Sequence, residues 1–227
     1  MSVDSLSDPD PSRAGDERQR RSLLESPYLW AALAGLVLIP LMRPLLRFEP
    51  PPPPVIASLP EFALVDQDGD AFGREQLGGS VHVVGFVFTR CTTVCPFVTA
   101  SLSRLAQRYD DAGDNRVKLL LVSVDPEHDT PEVLREFART RELDPARWRL
   151  VTGDTDAVRR LVVEGFLVAM GEPEGSGGLI EIAHTGRLVL VDADGGVRGY
   201  YDTGEQGLDE VFHRSRTVAS RVHRLRG

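Results

Sequence analysis

The run VHVVGFVF, residues 81–88, is apolar at nearly every position. A strand of alternating polarity can lie on a surface, whereas one without alternation has to be covered on both faces. That requirement constrains the fold more than any other feature of the chain. Two more such runs follow, VKLLLVSVD (117–125) and RWRLVTG (147–153), and helices lie between them. CPFVTASLSRLAQRY (95–109) places Val98, Leu102, Leu105 and Tyr109 at helical spacing, with Pro96 tolerated in a first turn. TPEVLREFARTR (130–141) opens with Thr130 as N-cap and Pro131 at the first helical position, and sets Leu134 and Phe137 on one face. DTDAVRRLVVEGF (154–166) is a shorter helix, and LDEVFHRSRTVASRVHRLR (208–226) is a closing amphipathic one. FALVDQDGDAF (62–72) reads as a hairpin turning at Asp68-Gly69, and RLVLVDADGGVRGYYD (187–202) as a second around Asp194-Gly195-Gly196. The expectation is an α/β domain, a mixed sheet flanked by helices with an added hairpin.

The N-terminal quarter is different. Residues 1–25 are rich in Ser, Asp, Pro and Arg and read as a disordered tail. Asp4, Asp8, Asp10, Asp16 and Glu17 argue against a mitochondrial transit peptide, which avoids acids. SPYLWAALAGLVLIPLM (26–42) carries no charge. It is at the short end for a membrane span, and a buried core helix is the plain alternative. Tyr28 and Trp30 at one end, Arg18, Arg20 and Arg21 before it and Arg43 and Arg47 after it favour a transmembrane anchor over 26–43. No small-x-small cleavage site follows, so the anchor is expected to be retained. The arginine bias puts the tail in the cytoplasm and the rest of the chain outside. The prolines at 50–54 then make residues 44–58 a stiff linker, a polyproline II spacer rising about 3.1 Å per residue. That leaves 59–227 as the globular domain. The whole chain of 227 residues has a net charge of −8, which argues against nucleic-acid binding.

The only two cysteines, Cys91 and Cys95, lie in TRCTTVCPF (89–97), where the first central strand hands over to its helix. The edge of an α/β sheet beyond its strand ends is where sites form. Free N–H groups and the positive dipole end of a helix favour thiolate, so a lowered pKa is expected there. Residues four apart at a helix start share a face, with Cα atoms about 6 Å apart, within disulfide range. The pair can close reversibly, clamp a soft metal, or be two inert core thiols. Two thiolates select Cu(I), and an added imidazole suits copper generally. Of the five histidines, His82 lies in a buried strand and His213 and His223 on the last helix. His128, in DPEHDTP, and His184, in EIAHTGR after the Gly-rich 171–178, remain as rival third ligands, and spacing does not choose between them.

FTRCTTVCP, SVDPEHDTPEVL and AHTGRLVLVDADGGVRGYY, in that order, resemble the Sco/SenC family of thioredoxin-like copper chaperones for cytochrome c oxidase assembly. The resemblance covers roughly residues 57–224, and an N-terminal anchor fits it. It implies a thioredoxin-like fold and three copper ligands, Cys91, Cys95 and His184. It implies Cu(I), and also Cu(II), as the metal. It further implies delivery of copper to the binuclear copper centre of the oxidase, or reduction of the cysteines there. The partners would be the copper-centre subunit, a copper donor and a thiol reductant. The location would be the bacterial inner membrane, crossed once, with the domain in the periplasm. Many members carry an Asp just before the histidine, where this chain has Ala183; that bears on support of the imidazole, not on the ligand itself. Asp125 is either an outer-shell residue or a loop cap. One rival is a metal-free thiol–disulfide oxidoreductase using Cys91 and Cys95 as a redox-active dithiol, for which His184 is superfluous. The other is a thiol peroxidase: Thr92 stands three before Cys95, but Phe88 occupies the place of its proline.

Overall fold

A computed structural model of the protein describes residues 27–42, 51–91, 95–168 and 186–226. The chain divides into two compact units, Met1–Pro50 and Pro51–Gly227. In the first, α1 (Pro27–Met42) is a helix of 16 residues. At 1.5 Å per residue it reaches about 24 Å, short of a hydrocarbon core of ~30 Å. Among the described residues no helix is long and apolar enough to cross a membrane. Of the expected span over 26–43, the described residues form a helix over 27–42. The expected tail, 1–25, lies outside the described residues.

The second unit is built on one mixed sheet. Its centre is three parallel strands, β4 (Val81–Val87), β5 (Val117–Ser123) and β6 (Trp148–Thr152). Antiparallel strands extend both sides: β7 (Leu188–Val191), β8 (Gly196–Tyr201) and β1 (Ala57–Ser58) beyond β4, and β2 (Ala63–Asp66) and β3 (Ala71–Gly73) beyond β6. The full order is β1-β8-β7-β4-β5-β6-β2-β3. Every residue of β4 is buried, as its unbroken apolar run demands. Both expected hairpins form, and they turn at Gly69 (φ +86°) and Gly195 (φ +79°), in the left-handed region that glycine enters without a Cβ penalty.

After a single turn, α2 (Arg74–Leu77), the main helices are α3 (Cys95–Asp111), α4 (Pro131–Thr140), α5 (Thr155–Arg160) and α6 (Glu205–Arg226). α3 buries Val98, Leu102, Leu105 and Tyr109, the stripe read from the sequence. It packs close to β4 because Gly85 has no side chain; a Cβ there would stand 2.9 Å from Leu102 Cδ1. α6 lies against α3, with Tyr109 stacked on Phe212 at 5.2 Å and its hydroxyl 2.6 Å from Ser215 Oγ. Thr130 and Asp154 cap α4 and α5 through their side chains. The helix expected over 154–166 changes pitch midway into a π-turn, Leu161–Gly165.

The linker expected over 44–58 is partly absorbed into the fold. Pro53 is buried, and Arg198 Nη1 donates to its carbonyl at 2.8 Å. Arg198 is itself held by Asp192 at 2.6 Å. Ile56 N–H donates to Val197 O at 2.8 Å, and β1 then pairs with β8. Proline lacks a donor, but its carbonyl still accepts. Ala57 pairs with Val197, which pairs with Val191 and through it with His82, so β1 lies level with the start of β4.

Candidate functional site

The opposite edge, where β4, β5 and β6 end, carries the cysteines. Past Val87 the chain turns, and Cys91 N–H closes the turn on Phe88 O at 3.1 Å. Residues 92–94 lie outside the described residues, and α3 begins at Cys95. Cys95 N–H donates to Cys91 Sγ at 3.3 Å, and Phe88 N–H donates to Cys95 Sγ at 3.4 Å. The pair does not share a helix face, as the four-residue spacing suggests. Cys91 sits on the turn before the helix, and its sulfur caps one of the N–H groups that a helix start leaves unpaired. Both residues are buried, 7% and 1% exposed, and no disulfide joins them.

The helix start was expected to lower a thiol pKa, and for Cys95 the reverse holds. Burial pushes its thiol up to about 12. The Phe88 N–H pulls it back, while the Cys91 sulfur and the Asp129 carboxylate push it up again. Removing water from a sulfur costs the charged form more than one N–H returns.

The loop after β5 forms the facing wall. Asp125 is buried and accepts from Arg90 Nε at 3.1 Å and Nη2 at 2.7 Å. His128 Nδ1 lies 2.8 Å from the other oxygen of Asp125 and 3.0 Å from Arg90 Nη2. Asp125, weighed between an outer-shell residue and a loop cap, thus fixes the side chain next to Cys91. His128 is half-exposed on the rim of the same site. The sequence reading passed over Asp129, which is fully buried and accepts from the backbone and hydroxyl of Thr89 and from the hydroxyl of Ser123. Its signal was its place in DPEHDTP, an acid directly before a helix cap.

His184 and Ala183 lie outside the described residues, so the structure brings together Cys91, Cys95, Arg90, Asp125, His128 and Asp129. Among the described residues no group of three or more His, Cys, Asp and Glu could by itself hold a metal ion. His82 is at the opposite end of β4, buried, with Nδ1 lacking a partner. His213 is exposed on α6, one turn from Asp209 at 3.7 Å, and His223 is exposed near its end.

The SCO1/SenC family model matches residues 54–220. The SCO1 protein homolog of Bacillus subtilis is 32% identical over 142 residues, covering 62% of this chain and 72% of that protein. A protein of Stutzerimonas stutzeri, provisionally named as copper-binding, is 31% identical over 145 residues, covering 63% of this chain and 68% of that protein. The solved structure of BsSco, a member of the Sco family of cytochrome c oxidase assembly proteins in which a disulfide switch was identified, superposes with a TM-score of 0.64. It is 27% identical and covers 75% of this chain and 99% of that one.

Proposed function

The chain belongs to the SCO1/SenC family, and on that premise we propose a membrane-anchored copper-binding protein of cytochrome c oxidase assembly. It delivers copper to the binuclear copper centre of the oxidase, or reduces the thiols there. The observation that carries this reading is the pair of sulfurs at one helix start, joined through the Cys95 N–H to Cys91 Sγ bond of 3.3 Å. Two thiolates make a soft donor set that suits Cu(I). Cys91 and Cys95 are two ligands, and His184 is the third, carried over from the family resemblance.

Copper is the cargo, and the residues around it govern its entry. Cys95 holds its proton at neutral pH, so metal capture has to displace that proton, and binding releases acid. The N–H groups of Phe88 and Cys95 stay on the two sulfurs and offset negative charge there. The same dithiol can reduce a partner disulfide. Cys91, the more exposed of the two, attacks one partner sulfur and forms a mixed disulfide. Cys95 then displaces it, leaving a Cys91–Cys95 disulfide and a partner dithiol, with two electrons and two protons transferred. A thiol reductant has to reopen that disulfide before copper can bind, and a donor has to supply the metal.

Residues 26–43 are proposed as the anchor of a single-pass protein of the bacterial inner membrane, with the tail 1–25 in the cytoplasm and the domain in the periplasm. The uncharged 26–42, its aromatic end and its flanking arginines support this. A reporter fused after residue 50, at the boundary of the two units, is then active only outside the cytoplasm.

Titration of the reduced protein with Cu(I) tests the site. One tightly bound copper per chain is expected, lost in Cys91→Ser and Cys95→Ser and severely weakened in His184→Ala. If His128→Ala abolishes binding and His184→Ala leaves it intact, the third ligand is misassigned. A reduced protein that binds no copper but exchanges disulfides is a metal-free oxidoreductase.

A further inference from the structure

A carboxylate without solvent is costly unless its lone pairs face donors. Asp129 is 0% exposed. It accepts from Thr89 N–H at 3.1 and 3.3 Å, from the Thr89 hydroxyl, and from the Ser123 hydroxyl. Ser123 is the last residue of β5, and Thr89 is two residues past the end of β4. The Asp129 N–H donates to Asp125 O at 2.9 Å, and the next residue, Thr130, caps α4. One buried side chain therefore ties together the ends of two central strands and the start of a helix.

What it fixes is the approach to Cys91. Thr89 is held at both its backbone and its side chain, which removes the rotation a single bond would leave. Arg90, the next residue, is pinned by Asp125. Cys91 then closes the turn on Phe88 O. We propose that Asp129 is a positioning residue for the dithiol: through Thr89 it holds the turn 88–91 so that Cys91 Sγ stays over the first N–H of α3, beside Cys95. The copper consequence rests on the reading of the pair as a metal clamp, whereas the disulfide consequence does not.

The alternative is a hub that supports the fold and nothing more, and substitutions separate the two. An Asn at 129 keeps an oxygen for Thr89, and its amide can donate to the Ser123 hydroxyl, which also accepts. An Ala keeps nothing. The full chain in detergent is compared as wild type, Asp129→Ala, Asp129→Asn and Ser215→Ala; the last removes the remote Tyr109 hydroxyl contact and serves as a stability control. Thermal unfolding, the dithiol–disulfide potential and Cu(I) affinity are measured for each.

Asp129→Ala should weaken Cu(I) binding about 10- to 100-fold, as loss of outer-shell support does, and shift the potential. Asp129→Asn should recover most of both. Ser215→Ala should lose thermal stability while keeping wild-type affinity and potential. An Asp129→Ala protein that is wild type in both readouts overturns the proposal. So does Asp129→Asn as impaired as Asp129→Ala, or a Ser215→Ala control that loses copper to the same degree. If Asp129→Ala does not fold, Thr89→Val cuts the hydroxyl arm alone and must move affinity and potential in the same direction, or the proposal fails. If the wild type binds no copper, the proposed function fails and the potential alone decides the role of Asp129.

Discussion

Acid should destabilise this protein through His82. The residue is 4% exposed, and its Nδ1 has no partner. Burial lowers its pKa to about 4; a backbone bond with Ser80 opposes that shift, and the charge of Lys118 adds to it. In the unfolded chain the imidazole returns to its ordinary value of 6.5. Between these two pH values the unfolded state binds a proton that the folded state refuses, so stability rises with pH across the window. The effect is absent above the unfolded pKa and grows as pH falls toward the folded one. The difference between 6.5 and about 4 amounts to ~3 kcal/mol when fully developed. Urea unfolding of wild type and His82→Leu from pH 7.5 to 4.5 isolates it, because the other titrating groups are common to both. The variant should gain about 2–3 kcal/mol relative to wild type between those limits. Parallel pH profiles would refute the reasoning. Copper binding at pH 7.5 should be the same in both, since His82 and the cysteines lie at opposite ends of β4.

The remaining predictions concern packing and the metal. Gly85→Ala places a methyl 2.9 Å from Leu102 Cδ1 and 3.2 Å from Leu121 and Val98 side-chain carbons. It should lower the denaturant midpoint by an amount equivalent to about 1–3 kcal/mol, and an unchanged midpoint would show that α3 can move off the sheet. His213→Ala and His223→Ala should leave Cu(I) affinity unchanged, because both side chains are exposed on α6; a loss in either would place a ligand there. Protein oxidised to the disulfide between Cys91 and Cys95 should bind Cu(I) poorly until a reductant is added, because a disulfide offers no thiolate. Tight one-to-one binding with the disulfide intact would remove the thiolate clamp.

Much of the fold was legible because its signals are local. The unbroken run in β4 announces burial on both faces, Thr130 and Asp154 announce helix starts, and Gly69 and Gly195 announce turns. What was not legible depends on distant partners. The five prolines argue for a free spacer, and nothing in them shows that Arg198, far along the chain, accommodates the Pro53 carbonyl. The change to π pitch at Leu161–Gly165 has the same character. A Cβ on Gly165 would meet Pro60 Cδ at 2.9 Å and Leu59 Cδ2 at 3.1 Å, so that turn is packed against residues a hundred positions earlier. At the site, the dipole acting on the cysteines can be read from the sequence and the burial that outweighs it cannot. Asp129 was missed for the same reason, since its donors come from two strand ends that only the folded sheet brings together.

The inversion at Cys95 bears on how one dithiol can serve two chemistries. A thiol held near 12 is protonated at neutral pH, and it neither coordinates nor attacks by itself. Cys91 is the more exposed sulfur, so on the proposed assignment an arriving copper ion or partner disulfide meets it first. In both cases Cys95 acts second, once a bound metal has displaced its proton or a mixed disulfide stands beside it. The two routes share their first contact and part at the second. They also exclude each other, because closing the disulfide consumes both ligands and a bound metal consumes both thiols. At the proposed location outside the inner membrane, where oxidation is favoured, the closed state would accumulate. Copper loading then requires reduction first, and the order of reductant and donor, rather than affinity alone, determines which chemistry a given molecule performs.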